Sequence, residues 1–126
     1  MAQEDKELIL KDICGRLPYG LTVQISLFRN DGRKTDIDLD PYVSENIWEL
    51  IDKYHALPYL RPMSSMTKEE EEEFQRLDTE CDKMPTFDYV SIECYRIFDW
   101  LNAHHFDYRG LIERGLAIDA TGLEIY

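Results

Sequence analysis

Val90, Cys94, Ile97, Phe98 and Leu101 follow one another at intervals of four, three, one and three within the stretch FDYVSIECYRIFDWLNAHHFDYRGLIERGLAI, residues 87–118. Apolar residues at that spacing form one stripe on a 3.6-residue helix, and Glu93, Arg96 and Asp99 fall mainly off it. A helix of that kind lies on a core, so the chain needs a second layer for it to rest on. Thr86 or Asp88 is a candidate N-cap, and Pro85 separates the helix from what precedes it. Asn102 to Phe106 ends the helix, because Asn102 and the histidine pair are weak helix formers. A second, short helix is expected over roughly Tyr108 to Arg114, stopped by Gly115 after an arginine-containing last turn. Leu116 to Ile118 then reads as a short extended segment, and Gly122 as a turn.

The remainder of the chain supplies that second layer. Residues 4–15 read as an amphipathic helix with Leu8, Ile9 and Ile13 inward and Gly15 as its stop. Pro18 and Gly20 turn the chain, after which Leu21, Val23, Ile25 and Leu27 alternate with Thr22, Gln24 and Ser26. Alternation of period two marks a half-buried strand. Asn30-Asp31-Gly32 is a hairpin turn signal, and Thr35, Ile37 and Leu39 alternating with Asp36, Asp38 and Asp40 form the returning antiparallel strand. Ser44 caps a helix to about Tyr54 with Ile47, Trp48, Ile51 and Tyr54 as its stripe. The segment LPYLRPMSSMT follows, with Pro58 and Pro62 expected to keep it irregular. Thr67-Lys68-Glu69-Glu70 is a capping box opening a helix that is acidic through Glu73 and apolar at Phe74, Leu77 and Cys81.

With 126 residues the chain is long enough for a single core and shows neither internal repeat nor linker, so residues 1–126 read as one α+β domain. The expected architecture is an antiparallel β-hairpin, extended to a small three- or four-stranded sheet if 116–118 or 123–125 joins it, packed by three to four α-helices. Acidic residues outnumber basic ones 26 to 14, a net charge of −12. Residues 41–85 carry 11 of the acidic and 5 of the basic residues, so the excess is concentrated in the middle. Such a field repels phosphate and argues against direct nucleic-acid binding, while suiting a basic protein partner. Cys14, Cys81 and Cys94 are odd in number and widely spaced, which fits reduced cytoplasmic thiols rather than a disulfide framework or a zinc site. No basic-plus-apolar leader opens the sequence, and no apolar run approaches membrane-spanning length.

Three constellations invite a chemical reading. Asp36-x-Asp38-x-Asp40 resembles the start of a calcium loop, but the glycine required at its sixth position is Pro41 and the glutamate at its twelfth is Ile47. The wet face of a hairpin strand is the simpler account. His104 and His105, with Asp107 nearby, suggest a small hydrolase or metal-dependent enzyme, yet adjacent helical residues point about 100° apart and no further ligand stands at a recognised spacing. A polar helix end with one histidine bonding terminal carbonyls is the competing account. The six glycines never cluster into a phosphate cradle, and neither a nucleophile elbow nor a cysteine–histidine signature is in place. No catalytic residue, cofactor or metal ligand is therefore assigned.

Tyr59, Arg61, Met63 and Met66 are large side chains of the kind interface cores favour, and His104, His105, Asp107 and Arg109 form a second polar turn. Together these eight make the candidate interaction surface. The same aromatic and methionine side chains serve equally to fill the edge of a core.

The segments LKDICGRLPYG (10–20), PYLRPMSSMTKEEEEEF (58–74) and DWLNAHHFDYRGLIERGLAI (99–118) resemble small proteins of Bacteroides-type bacteria and their phages or mobile elements. No reaction or site residue of that group carries over; the resemblance implies a bacterial or phage origin and a cytoplasmic accessory role. The leading expectation is a non-enzymatic protein–protein interaction module. An acidic nucleic-acid mimic that occupies a basic DNA-binding protein is the first alternative, and the enzyme around His104, His105 and Asp107 is the second.

Overall fold

A computed structural model describes residues 2–26, 33–40, 46–82, 92–123 and 125–126, the side chains of 80–82 and 92–95 excepted. Helix α1 spans Gln3–Arg16, followed by a single 3-10 turn at Leu17–Tyr19. Strands β1 (Leu21–Ser26) and β2 (Lys34–Leu39) precede helix α2 (Ile47–Tyr54) and strand β3 (Leu57–Leu60). After a 3-10 turn at Met63–Ser65 come α3 (Lys68–Asp82), α4 (Ile92–Ala103) and β4 (Ile118–Asp119). The described residues thus form an α+β fold whose sheet runs in the order β2-β1-β3-β4. Its pairings are antiparallel except for β3 with β4, which is parallel.

The hairpin strands form as their alternation requires. Leu21, Val23 and Ile25 are buried, while Asp36, Asp38 and Asp40 are exposed. Register places Thr22 opposite Asp38 and Gln24 opposite Asp36, so side chains meet on the wet face. There Thr22 donates to Asp38 at 2.7 Å, Gln24 donates to the Tyr59 hydroxyl at 3.0 Å, and that hydroxyl donates to Asp36 at 2.6 Å. Asp36 and Asp38 are polar clamps across the sheet. Leu27, the turn signal at Asn30–Gly32, Ser44, the cap candidates Thr86 and Asp88, and Val90 lie outside the described residues, as do the side chains of Cys81 and Cys94.

Two apolar clusters result. Ile9 and Ile13 of α1, Leu50 and Ile51 of α2, the inner face of β1, Leu39 and Leu60 form the larger, closed by Leu111, Leu116 and Ala117. Leu77, Ile97, Trp100, Leu101 and Phe106 form the smaller, with Met63, Met66, Phe74 and Tyr108 packed against it.

Several sequence expectations need correction. Gly15 is not the stop of α1; it lies within the helix, and Gly20, at φ 78° and ψ 151°, takes the positive-φ conformation that ends the 3-10 turn after it. Tyr54 and Phe98, placed on inward stripes, are 37% and 45% exposed. Leu50 and Trp100 are buried in their stead, because each helix is turned so that a neighbouring apolar pair meets the core. Pro58 does not prevent regular structure: it pairs with Val23 inside β3 and is fully buried. Its locked φ suits extended backbone, and a missing N–H is tolerated where the ladder asks for no donor. Finally, residues 108–115 form successive turns rather than a helix, since Gly110 at φ 72° breaks any helical run at its start.

Candidate functional site

Helix α4 ends where its polar tail begins. The His104 N–H donates to the Trp100 carbonyl at 3.0 Å, and its Nδ1 lies 2.9 Å from the same oxygen, which places the ring proton on that nitrogen. The imidazole stacks on the Trp100 ring at 4.3 Å. His105 adopts φ 63°, the left-handed corner that stops the helix, and its ring stacks on Tyr126 at 3.6 Å. Burial, then the nearby Arg16, Arg61 and His104 charges, push His105 down to about 4. Burial also pushes the Tyr126 phenol up to about 12. Its hydroxyl donates to the Tyr59 carbonyl at 2.8 Å and accepts from the Thr22 N–H at 3.0 Å, tying β1 to β3.

Asp107 is buried, and its two carboxylate oxygens accept the Leu111 and Ile112 N–H groups, each at 2.9 Å. These bonds satisfy backbone donors of the turns that replace the expected helix. Asp107 and the two histidines are therefore committed to separate partners, and the carboxylate holds no histidine as a base-orienting group would. Among the described residues no group of three or more side chains is arranged to hold a metal ion.

Beneath this corner lies an ionic cluster that the sequence analysis did not single out. Asp12 and Arg16 are both fully buried on α1, with Arg16 Nε and Nη2 donating to the Asp12 carboxylate at 2.9 and 3.0 Å. Arg16 Nη2 also donates to the Phe106 carbonyl at 2.6 Å, and Arg109 donates to Asp12 at 2.6 Å. Both guanidiniums sit over the Tyr108 ring, at 5.3 and 4.6 Å. A signal existed: Ile9, Asp12, Ile13 and Arg16 occupy positions i, i+3, i+4 and i+7, so the opposite charges stand on the apolar stripe itself.

The segment 58–66 divides between two uses. Tyr59 is 5% exposed and belongs to the sheet. Arg61 joins the corner from the other side: its N–H donates to the His105 carbonyl at 2.7 Å, and its carbonyl accepts from Asp107 at 2.8 Å. Its guanidinium lies 4.3 Å over the Phe106 ring and grips Glu70 with two bonds of 2.7 and 2.9 Å. Glu70 meanwhile accepts the Thr67 N–H at 2.9 Å, and the Thr67 hydroxyl accepts the Glu70 N–H at 3.2 Å, the reciprocal pair expected of a capping box. The Arg61 bond is the main reason the Glu70 carboxyl is held down to about 2.

Arg61 thereby ties the first turn of α3 to the corner and leaves an open groove beside it. Met63, Met66 and Phe74, all half-buried, supply its apolar lining, and Glu71, Glu72 and Gln75 stand exposed along it, around a cavity of about 720 Å³. Lys68 lies at the end nearest the start of α3. Of the eight candidate surface residues, only Met63 and Met66 line this groove. His104, His105, Asp107 and Arg109 belong to the corner, though Asp107 and Met63 share a smaller concavity of about 370 Å³. The α3 side of the groove escaped the sequence analysis, which read residues 69–73 only as the acidic opening of a helix. Positions 68, 71, 72 and 75 are one helical face next to a methionine-bearing turn, which was the available signal.

Compared with protein-family models, curated proteins and solved structures, the chain matches none of them. No helix among the described residues is long and apolar enough to cross a membrane.

Proposed function

We propose that this chain is a non-catalytic protein–protein interaction module, an accessory protein of the cytoplasm with a phage or mobile-element origin. The provenance rests on the resemblance of residues 10–20, 58–74 and 99–118 alone. The interaction reading is carried by one observation: His104, Asp107 and Arg109 at the corner are hydrogen-bonded internally, whereas Met63, Met66 and Phe74 line an open apolar groove. Methionine is common on surfaces that accept other chains, since its flexible thioether repacks around different shapes.

A photo-crosslinking residue at Gln75, which is exposed on the groove, tests the reading in cells of the source organism. A discrete adduct from position 75, absent when the same probe replaces exposed Lys11 on α1, is the expected result. No adduct from either position, or the same smear from both, removes the interaction reading.

A second reading draws on the exposed Glu69 and Glu71–Glu73 run, which could imitate a phosphate backbone for a basic DNA-binding protein. It requires that the free protein compete with DNA for one particular basic protein. Competition equally well achieved by any polyanion eliminates it.

A further inference from the structure

The groove has a chemistry specific enough to name its occupant. Its α3 wall is one helical face, with Lys68, Glu71, Glu72 and Gln75 at i, i+3, i+4 and i+7. Seven rises of about 1.5 Å, from position i to i+7, make that wall roughly 10 Å long, two turns of helix. From Glu71 onward the backbone N–H groups are bonded within the helix, so that part of the wall offers side chains only. An extended peptide, which binds chiefly by main-chain hydrogen bonds to an open strand edge, would find no ladder here.

Charge narrows the choice further. Glu71 and Glu72 are exposed, and neither has a cation partner among the described residues; Glu70, one position earlier, is taken by Arg61. Exposed Glu69 and Glu73 extend the acidic margin, with Arg76 3.9 Å from Glu73. The apolar lining is thus bordered by carboxylates free to accept a cation. A second copy of this chain fits poorly: α1 carries four acidic and three basic residues, α3 carries eight and two, and α2 and α4 each carry two acidic residues against one basic. An acidic rim likewise repels anionic lipid and nucleic acid.

We infer that the Met63–Met66–Phe74 groove receives a basic amphipathic helix of a partner protein. Its apolar residues at i, i+3 or i+4 and i+7 lie on the two methionines and Phe74, and its flanking Lys or Arg side chains pair with Glu71 and Glu72. The inference rests on the interaction reading above and gives it a partner class. Apolar burial supplies the affinity, and the carboxylates select the sign of the ligand and hasten its approach.

The test uses the whole chain with 13C-methyl methionine and three synthetic 18-residue peptides. The first is amphipathic with leucines on one face and lysines flanking them; the second has the same composition shuffled; the third has glutamate in place of lysine. The first alone should shift the Met63 and Met66 methyl signals, with an affinity that falls as salt rises from about 50 to about 500 mM. A Glu71→Gln, Glu72→Gln double variant, both positions being exposed, should fold normally and bind about fivefold more weakly. Equal binding of the shuffled or the acidic peptide overturns the inference, as do methyl signals that stay in place. Methyl shifts that follow protein concentration without peptide assign the groove to a second copy, which also overturns it. A discrete crosslink from Gln75 alongside such a failure leaves the interaction reading standing; failure of both removes it as well.

Discussion

Asp12 and Arg16 are the residues whose surroundings depart furthest from their chemistry. Both are fully buried, and Arg16 Nη1 has no hydrogen-bond partner among the described residues. Removing one member of a buried pair strands the other charge. Asp12→Ala is therefore expected to lower stability by about 3–5 kcal/mol. Arg109→Ala, at a side chain 19% exposed, should lower it by less, since Arg16 still neutralises Asp12. Urea unfolding of both variants checks the order. His105 offers a second test at this scale. Its folded-state value of about 4 lies below the ordinary 6.5, so its contribution is present above pH 6.5. It is lost as pH falls towards 4, because the unfolded chain takes up the proton first. Allowing for residual solvent contact, the loss between about pH 7 and 5 should be about 1–2 kcal/mol. His105→Asn keeps a residue that tolerates φ 63° and should flatten this dependence, measured as unfolding free energy at the two pH values.

At the scale of elements, the start of α3 was legible because its signal is local. A threonine and a glutamate three residues apart bond each other's backbone whatever the rest of the chain does, so the motif read from sequence is the motif found. The Arg61 fork on the same glutamate was not legible, since Arg61 stands nine positions away across a turn. Thr67→Ala should lower stability by about 1 kcal/mol through loss of the cap. Glu70→Ala should lose cap and fork together, about 1–2 kcal/mol after screening at a partly exposed pair. Because the folded Glu70 carboxyl titrates near 2 rather than 4.5, its share is present above pH 4.5 and disappears as pH falls to 2. Glu70→Ala should accordingly be less acid-sensitive than the parent over that interval, as acid titration followed by circular dichroism would show. The last turns of the chain contrast with this. Gly115, read as the stop of a helix over 108–114, ends no helix, because Gly110 at φ 72° and the Asp107 carboxylate arrange residues 107–112 as a capped turn instead.

Across the whole molecule, Phe106 stands where several elements meet. Its N–H donates to the Leu101 carbonyl, its own carbonyl accepts from Arg16, its ring lies under Arg61, and it forms an isolated bridge with Arg61 beside β3. The ring is fully buried. Phe106→Ala should lower stability by about 3–5 kcal/mol, in the range for buried aromatic truncations, whereas His104→Ala should lower it by about 1 kcal/mol. Equal effects in denaturant unfolding would show that the corner depends on its histidine rather than on the buried ring.

What the residues determined unaided is what short-range sterics and periodicity govern. Alternation made the 21–26 and 34–39 strands, a repeating stripe made α1, and the paired histidines ended α4. Each depends on neighbours within a few positions, where backbone geometry leaves few choices. Tertiary structure alone decided that a proline-bearing segment becomes an inner strand, because β3 exists only when β1 and β4 meet it on either side. It likewise decided that Trp100 faces inward and Phe98 outward, and that a charged pair on α1 meets Arg109 and the carbonyl of Phe106. The last of these depends on surfaces brought together from 90 or more residues apart, Arg16 with Phe106 and Asp12 with Arg109. The gain from joining them, burial of apolar area and pairing of polar groups out of water, belongs to neither segment separately.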